Sequence, residues 1–232
     1  IVSSNSDSKE TQFEISLPET VEAKAPRLLT PRETILEQER TLTLEDKGDS
    51  RKYYVYVKGD VVYTTDQVAD AITKANENMG VVVGKDQEYI WKRSRDAIRP
   101  ALSDIAVGAE DASSNSIAQC INAMLEKEGI NISVSALIAG GETPKNILSN
   151  TMKDARILDL TGCSVEEVLY YVSCGNPVFA MTGSDEAVLV VGYDANNVII
   201  FDPSTGSNFK QSLTDADEVF KEAGNVFFTY LK

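Results

Sequence analysis

The chain has 232 residues, 42% of them apolar, a net charge of −14 and no histidine. That apolar share belongs to a globular chain, and the length suits one large domain or two small ones with a tail. Residues 101–232 hold 7 basic and 18 acidic side chains, a net of −11; such a body repels phosphate backbones, so no nucleic-acid partner is expected.

Residues 1–50 read as an acidic linker or tail. Ser3 to Ser8 is polar and patternless, and Pro18, Pro26 and Pro31 interrupt the rest of the segment, with a short element expected over 34–44. The chain starts at Ile1 rather than Met, which suggests that a targeting segment is absent from it. Apolar runs such as Ala187 to Val191 fall far short of the ~20 residues that cross a bilayer, so no transmembrane segment is expected in this chain.

Residues 51–95 are expected to form a small β-β-α-β domain. Tyr53 to Val57 is a strand by its β-branched and aromatic content, Lys58-Gly59-Asp60 turns, and Val61 to Thr64 returns as a hairpin. Thr65 or Asp66 is placed to cap a helix carrying Val68, Ala69, Ile72 and Ala75 at helical spacing, which Gly80 stops. Val81 to Val83 and Gln87 to Lys92 are further strands. Lys92, Arg93, Arg95 and Arg99 form the one basic cluster of an acidic chain, read as a solvated or interdomain face near an acidic neighbour. Residues 96–110 connect, punctuated by Pro100 and Gly108.

The third unit, residues 111–232, opens with a helix capped by Ser114 or Asn115 and closed by Gly129. Pro144 starts a short helix at its first position. Arg156 to Leu160 is a strand, and Ser164-Val165-Glu166-Glu167 is a capping box for a helix to Ser173. Pro177 to Met181, Ala187 to Tyr193, Val198 to Phe201 and Val226 to Tyr230 are strands, with a helix over Asp215 to Ala223. Helices first and an antiparallel sheet after is an α+β arrangement.

Cys163 and Cys174 bracket a predicted helix and so lie ~16 Å apart, beyond the ~7 Å a disulfide spans. Without His or a CxxC pair no zinc site is expected, and the three cysteines are read as free, mostly buried thiols. Asp185, Glu186, Asp194 and Asp202 fall on different strands without a calcium-loop pattern, and are read as a solvated rim. No metal or cofactor is implied.

Three stretches carry chemistry: Asn115-Ser116-Ile117-Ala118-Gln119-Cys120-Ile121, then Asp185-Glu186-Ala187-Val188-Leu189-Val190-Val191-Gly192-Tyr193-Asp194, then Phe201-Asp202-Pro203. Their order resembles the papain-like domain of bacterial double-glycine leader (bacteriocin-processing) peptidases over residues 111–232. The family pattern is Cys-Gly-Pro-x-Cys-Leu followed by an apolar helix that ends in Gly thirteen residues after the nucleophile. Ser116 and Gly129 keep that spacing, and Cys120 matches the second, non-catalytic Cys.

The resemblance implies a Cys-His-Asp triad at positions held here by Ser116, Glu186 and Asp202. Both replacements weaken the chemistry. A serine hydroxyl titrates well above a thiol, so an effective base becomes obligatory, and a carboxylate near pKa ~4.3 is a poor one at neutral pH. Cys120 is read as a buried structural thiol.

The expectation is therefore a non-catalytic papain-like domain of a bacterial cell-surface or secreted protein, extracytoplasmic, binding a peptide or envelope component. Two alternatives stand beside it. One is a hydrolase using Ser116 with Glu186 and Asp202, the two carboxylates sharing a proton. The other is a purely structural assembly module with a filled cleft. An open groove beside Ser116 favours binding and a packed one favours a scaffold; oligomeric state is left open.

Overall fold

The computed structural model describes residues 52–85 and 87–232. The acidic tail expected over 1–50, with its short element at 34–44, lies outside the described residues.

Tyr53–Val57 (β1) and Asp60–Thr65 (β2) form a hairpin through Lys58 and Gly59, both at positive φ. Two positive φ angles in a two-residue loop twist the strands in the favoured sense, and Gly59 adopts that conformation without a Cβ clash. Val68–Glu77 (α1) buries Val68, Ala71, Ile72 and Ala75. Gln67, not Thr65 or Asp66, is its N-cap and makes no side-chain cap bond; Thr65 Oγ1 accepts the Gln67 N–H instead, at 3.1 Å. Val81–Val83 (β3) and Tyr89–Lys92 (β4) complete an antiparallel sheet of order β2-β1-β3-β4. A Cβ at Gly80 would stand 2.5 Å from the Tyr56 carbonyl oxygen, so only glycine passes there.

After a 3-10 turn at Ala109–Asp111 come Ser116–Lys127 (α2), Val134–Ala139 (α3) and Pro144–Thr151 (α4). Arg156–Asp159 (β5), Val165–Ser173 (α5), Val178–Met181 (β6), Ala187–Tyr193 (β7), Asn197–Asp202 (β8), Ser207–Ser212 (β9), Leu213–Glu222 (α6) and Phe227–Leu231 (β10) complete the chain. The six strands form an antiparallel sheet of order β5-β10-β6-β7-β8-β9. The protein is α+β. The short helix α3 and the edge strand β9 are additions to what the sequence pattern foretold.

The pleat sorts the large sheet's side chains between two cores. Phe179, Ala187, Leu189, Val191, Phe201 and Tyr230 pack with Ala118, Ile121, Met124 and Leu125 of α2. Val178, Ala180, Val190, Ile200 and Phe227 pack on the opposite face with Val168, Leu169 and Val172 of α5 and Phe220 of α6.

That second core is continuous with the small sheet and its helix α1, since Tyr53, Val55, Val82 and Ile90 of the sheet and Ile72 of α1 belong to the same cluster. The Trp91 indole N–H donates to the Glu167 carbonyl at 2.9 Å across the junction, and Arg156 pairs with Glu88. Residues 96–110 also lie against the large sheet. Arg99 and Tyr193 exchange two backbone hydrogen bonds of 2.8 Å, and the Leu102 N–H reaches the Val191 carbonyl at 2.9 Å. A Cβ on Gly192 would stand 2.8 Å from the Arg99 carbonyl oxygen, which explains the glycine in a buried strand.

Candidate functional site

Asn115 is the N-cap of α2; its side-chain oxygen accepts the Ala118 N–H at 2.9 Å. Ser116 therefore occupies the first turn of the helix, at the positive end of the backbone dipole. Its hydroxyl is already engaged: Oγ accepts the Ala187 N–H at 3.0 Å. This bond joins the start of α2 to the start of β7.

Ala187, 2% exposed, is the first β7 residue that packs with α2. Glu186, one residue earlier, is exposed, and among the described residues its carboxylate has no hydrogen-bond partner. Its carbonyl accepts the Thr182 N–H at 2.9 Å, extending the β6–β7 ladder by one step.

Asp202 ends β8, near enough to α2 for its charge to be felt by the buried Cys120. Its carboxylate folds over the turn to β9. It accepts the Ser204 N–H at 2.9 Å, the Ser204 hydroxyl at 2.6 Å and the Thr205 hydroxyl at 3.1 Å. Those bonds, Ser204's hydroxyl foremost, hold the Asp202 carboxyl below the ordinary carboxylate range against the opposing effect of partial burial. Asp202 is thus ionised, and its acceptors are directed at its own turn. Among the described residues, no hydrogen bond or ion pair joins any two of Ser116, Glu186 and Asp202.

Cys120 lies one helical turn beyond Ser116 and is fully buried. Burial, and then the negative charge of Asp202, push its thiol well above the ordinary value. It is a neutral packing group, in agreement with the expectation from sequence.

Two polar side chains at this end of α2 escaped sequence reasoning. Asp111 is completely buried, and its two carboxylate oxygens accept the N–H groups of Val134 (2.7 Å) and Ser135 (2.9 Å) at the start of α3. Gln119, 5% exposed, donates to the Ala112 carbonyl at 2.9 Å. Asp111 thereby ties the segment before α2 to the start of α3, and Gln119 ties the same segment to α2 itself. Asx-type capping from 23 residues away leaves no local sequence signal.

Beside the first turn of α2 an apolar groove of about 460 Å³ opens to solvent. Ile117, Met181, Val226 and the stacked rings of Phe179 and Phe228 (centroids 4.1 Å apart, planes 9° apart) line it. Thr143, Pro144 and Lys145 at the start of α4 form one wall, and Gly183 and Ser184, just before Glu186, form another. The volume is in the range of small-ligand sites, about 300–1,000 Å³. The groove thus adjoins the Ser116 turn on one side and the loop leading to Glu186 on the other.

No family model matches the chain, and no curated protein matches it. Among solved structures, one described as a "putative C39-like peptidase from Bacillus anthracis" is similar to it. The two share 19% sequence identity, and the match covers 62% of this chain and 98% of that chain at a TM-score of 0.43.

Proposed function

We propose that residues 111–232 form a papain-like domain of the leader-peptidase type that no longer cleaves, and that it binds an extended peptide or envelope component. The protein would act outside the bacterial cytoplasm. Ser116, Glu186 and Asp202 then stand at the places of a Cys-His-Asp triad, without its proton relay.

The observation that carries this reading is the open groove beginning at the first turn of α2, with Ile117 in its lining and the Phe179–Phe228 stack beside it. A scaffold whose cleft is filled by its own side chains lacks such a space. Ser116 supports the non-catalytic half: its Oγ accepts the Ala187 N–H, and among the described residues no basic group accepts its proton.

Titration with extended peptides rich in Leu and Phe tests the reading, with the methyl signals of Ile117 and Met181 as reporters. Saturable shifts in the intact chain, abolished by Met181→Lys, are expected. Absence of any shift across the panel defeats it.

A further inference from the structure

A second pocket, sharing no residue with the groove, lies between the small sheet and helix α5. It holds about 170 Å³, less than the 300 Å³ at which small-molecule sites begin, so it admits one compact group. Its lining is mostly polar and includes three basic residues of the one basic stretch, Arg93, Arg95 and Lys92, the last with its ammonium 3.5 Å over the Tyr89 ring. In a chain of net charge −14 this is the place where positive charge gathers.

The two carboxylates of the lining do not neutralise it. Glu167 is committed elsewhere, accepting the Asn76 side-chain N–H at 3.0 Å and the Ser164 N–H at 2.8 Å. Glu166 is 65% exposed and stands 3.8 Å from Arg95, a loose ion pair in water. Arg93 is exposed and, among the described residues, faces no carboxylate partner.

Arg95 carries the sharpest signal. A guanidinium has five N–H donors in a rigid fork, and its Nε–H is buried here with no acceptor. A buried charged donor without an acceptor is costly, and such groups are rare in folded proteins unless something else supplies the acceptor.

We infer that this pocket is a binding site for a small oxyanion, a phosphate or carboxylate group, held by Lys92, Arg93 and Arg95. Three cations at the mouth of a polar cavity offer the charge and several N–H donors to one multi-oxygen group, the arrangement that makes charge-assisted hydrogen bonds strong. The inference is independent of the peptide groove.

The only tryptophan of the chain, Trp91, lines this pocket and is its natural reporter. The experiment tracks the Trp91 indole N–H signal of the intact protein while inorganic phosphate, acetate or citrate is added, with sodium chloride at matched ionic strength as control. A saturable shift is expected with phosphate or with the carboxylates and not with chloride. A response to phosphate alone assigns the phosphate group, and a response to acetate or citrate alone assigns the carboxylate.

Arg93→Gln, at an exposed position, is expected to weaken the response about tenfold, the loss of one charge-assisted contact. Arg95→Gln weakens it further; should that variant not fold, Lys92→Gln takes its place. Lys210→Gln, on β9, where the side chain pairs with Asp194 of the β7–β8 turn, leaves it unchanged. An equal response to chloride, no saturable shift with any anion, or full affinity in Arg93→Gln overturns the inference.

Discussion

The hydroxyl of Ser116 accepts the backbone N–H of Ala187 at 3.0 Å, across 71 residues of sequence. That bond closes the start of β7 onto the first turn of α2. Ser116→Ala leaves that N–H without its acceptor. A loss of about 1 kcal/mol is expected, which in a chain of this size lowers Tm by about 2–4 °C. Peptide and ester substrates are expected to remain uncleaved by both proteins. Hydrolysis by the parent that the alanine variant lacks would remove the non-catalytic reading.

Asp111 makes a stronger prediction. Its carboxylate is completely buried and supplies acceptors for two N–H groups at the start of α3. A six-residue helix has almost no stability by itself, so its place depends on this capping and on packing. Asp111→Ala leaves both donors unpaired and is expected to destabilise by about 2–4 kcal/mol, read as a lower denaturant midpoint at unchanged m. Asp111→Asn retains one acceptor oxygen and is expected to lose less.

These two contacts also show where sequence reasoning ends. The capping box of α5 was legible because both its bonds, Ser164 Oγ with the Glu167 N–H and Glu167 Oε2 with the Ser164 N–H, span three residues. Strands β7 and β8 were legible because buried runs of Val, Leu and Ile announce a central strand. Strand β9 was not: Ser207 to Lys210 are all exposed, and what makes Ser207–Ser212 a strand is a six-pair ladder with β8. Helix α3 was missed although Ser133 caps it locally, its Oγ accepting the Ala136 N–H at 3.4 Å; the two shorter bonds at its start come from Asp111, 23 residues away.

At the candidate site the limit was register. The sequence supplied Ser116 and the strand beginning near Glu186, and the helix turn does meet that strand. That buried Ala187 is the residue packed with α2, while Glu186 is exposed, is set by the pairing of Met181 with Ala187. No local pattern encodes that pairing.

The cysteines divide cleanly by exposure. Cys120 and Cys163 are buried, with burial the leading cause that pushes both thiols up; Cys174 is exposed at the C-cap of α5. Since the thiolate is the reactive form, native protein at pH 8 is expected to react with a thiol reagent at Cys174 alone, and at all three sites in denaturant. Rapid native labelling of Cys120 would show that the helix carrying Ser116 is far less packed than its contacts imply.

The C-terminal strand is fastened to α2 through Glu128. Its carboxylate accepts the Tyr230 hydroxyl and pairs with Lys232, while Lys127 stands 3.4 Å away. Burial alone would raise this carboxyl, but Lys232, Tyr230 and Lys127 together hold it below the ordinary glutamate value. A carboxyl whose folded pKa lies below its unfolded one binds protons more readily when unfolded. Its contribution to stability is therefore complete above the unfolded value, near 4.3, and is lost as pH falls through the lower folded value. Glu128→Gln is expected to lower stability at pH 7 and to flatten the acid side of the Tm-against-pH curve. Lys232→Met should reproduce part of both effects, because it removes one of the charges that hold the carboxyl down. Parallel curves for parent and Glu128→Gln below pH 6 would mean that the carboxylate is not the group whose protonation loosens β10 from α2.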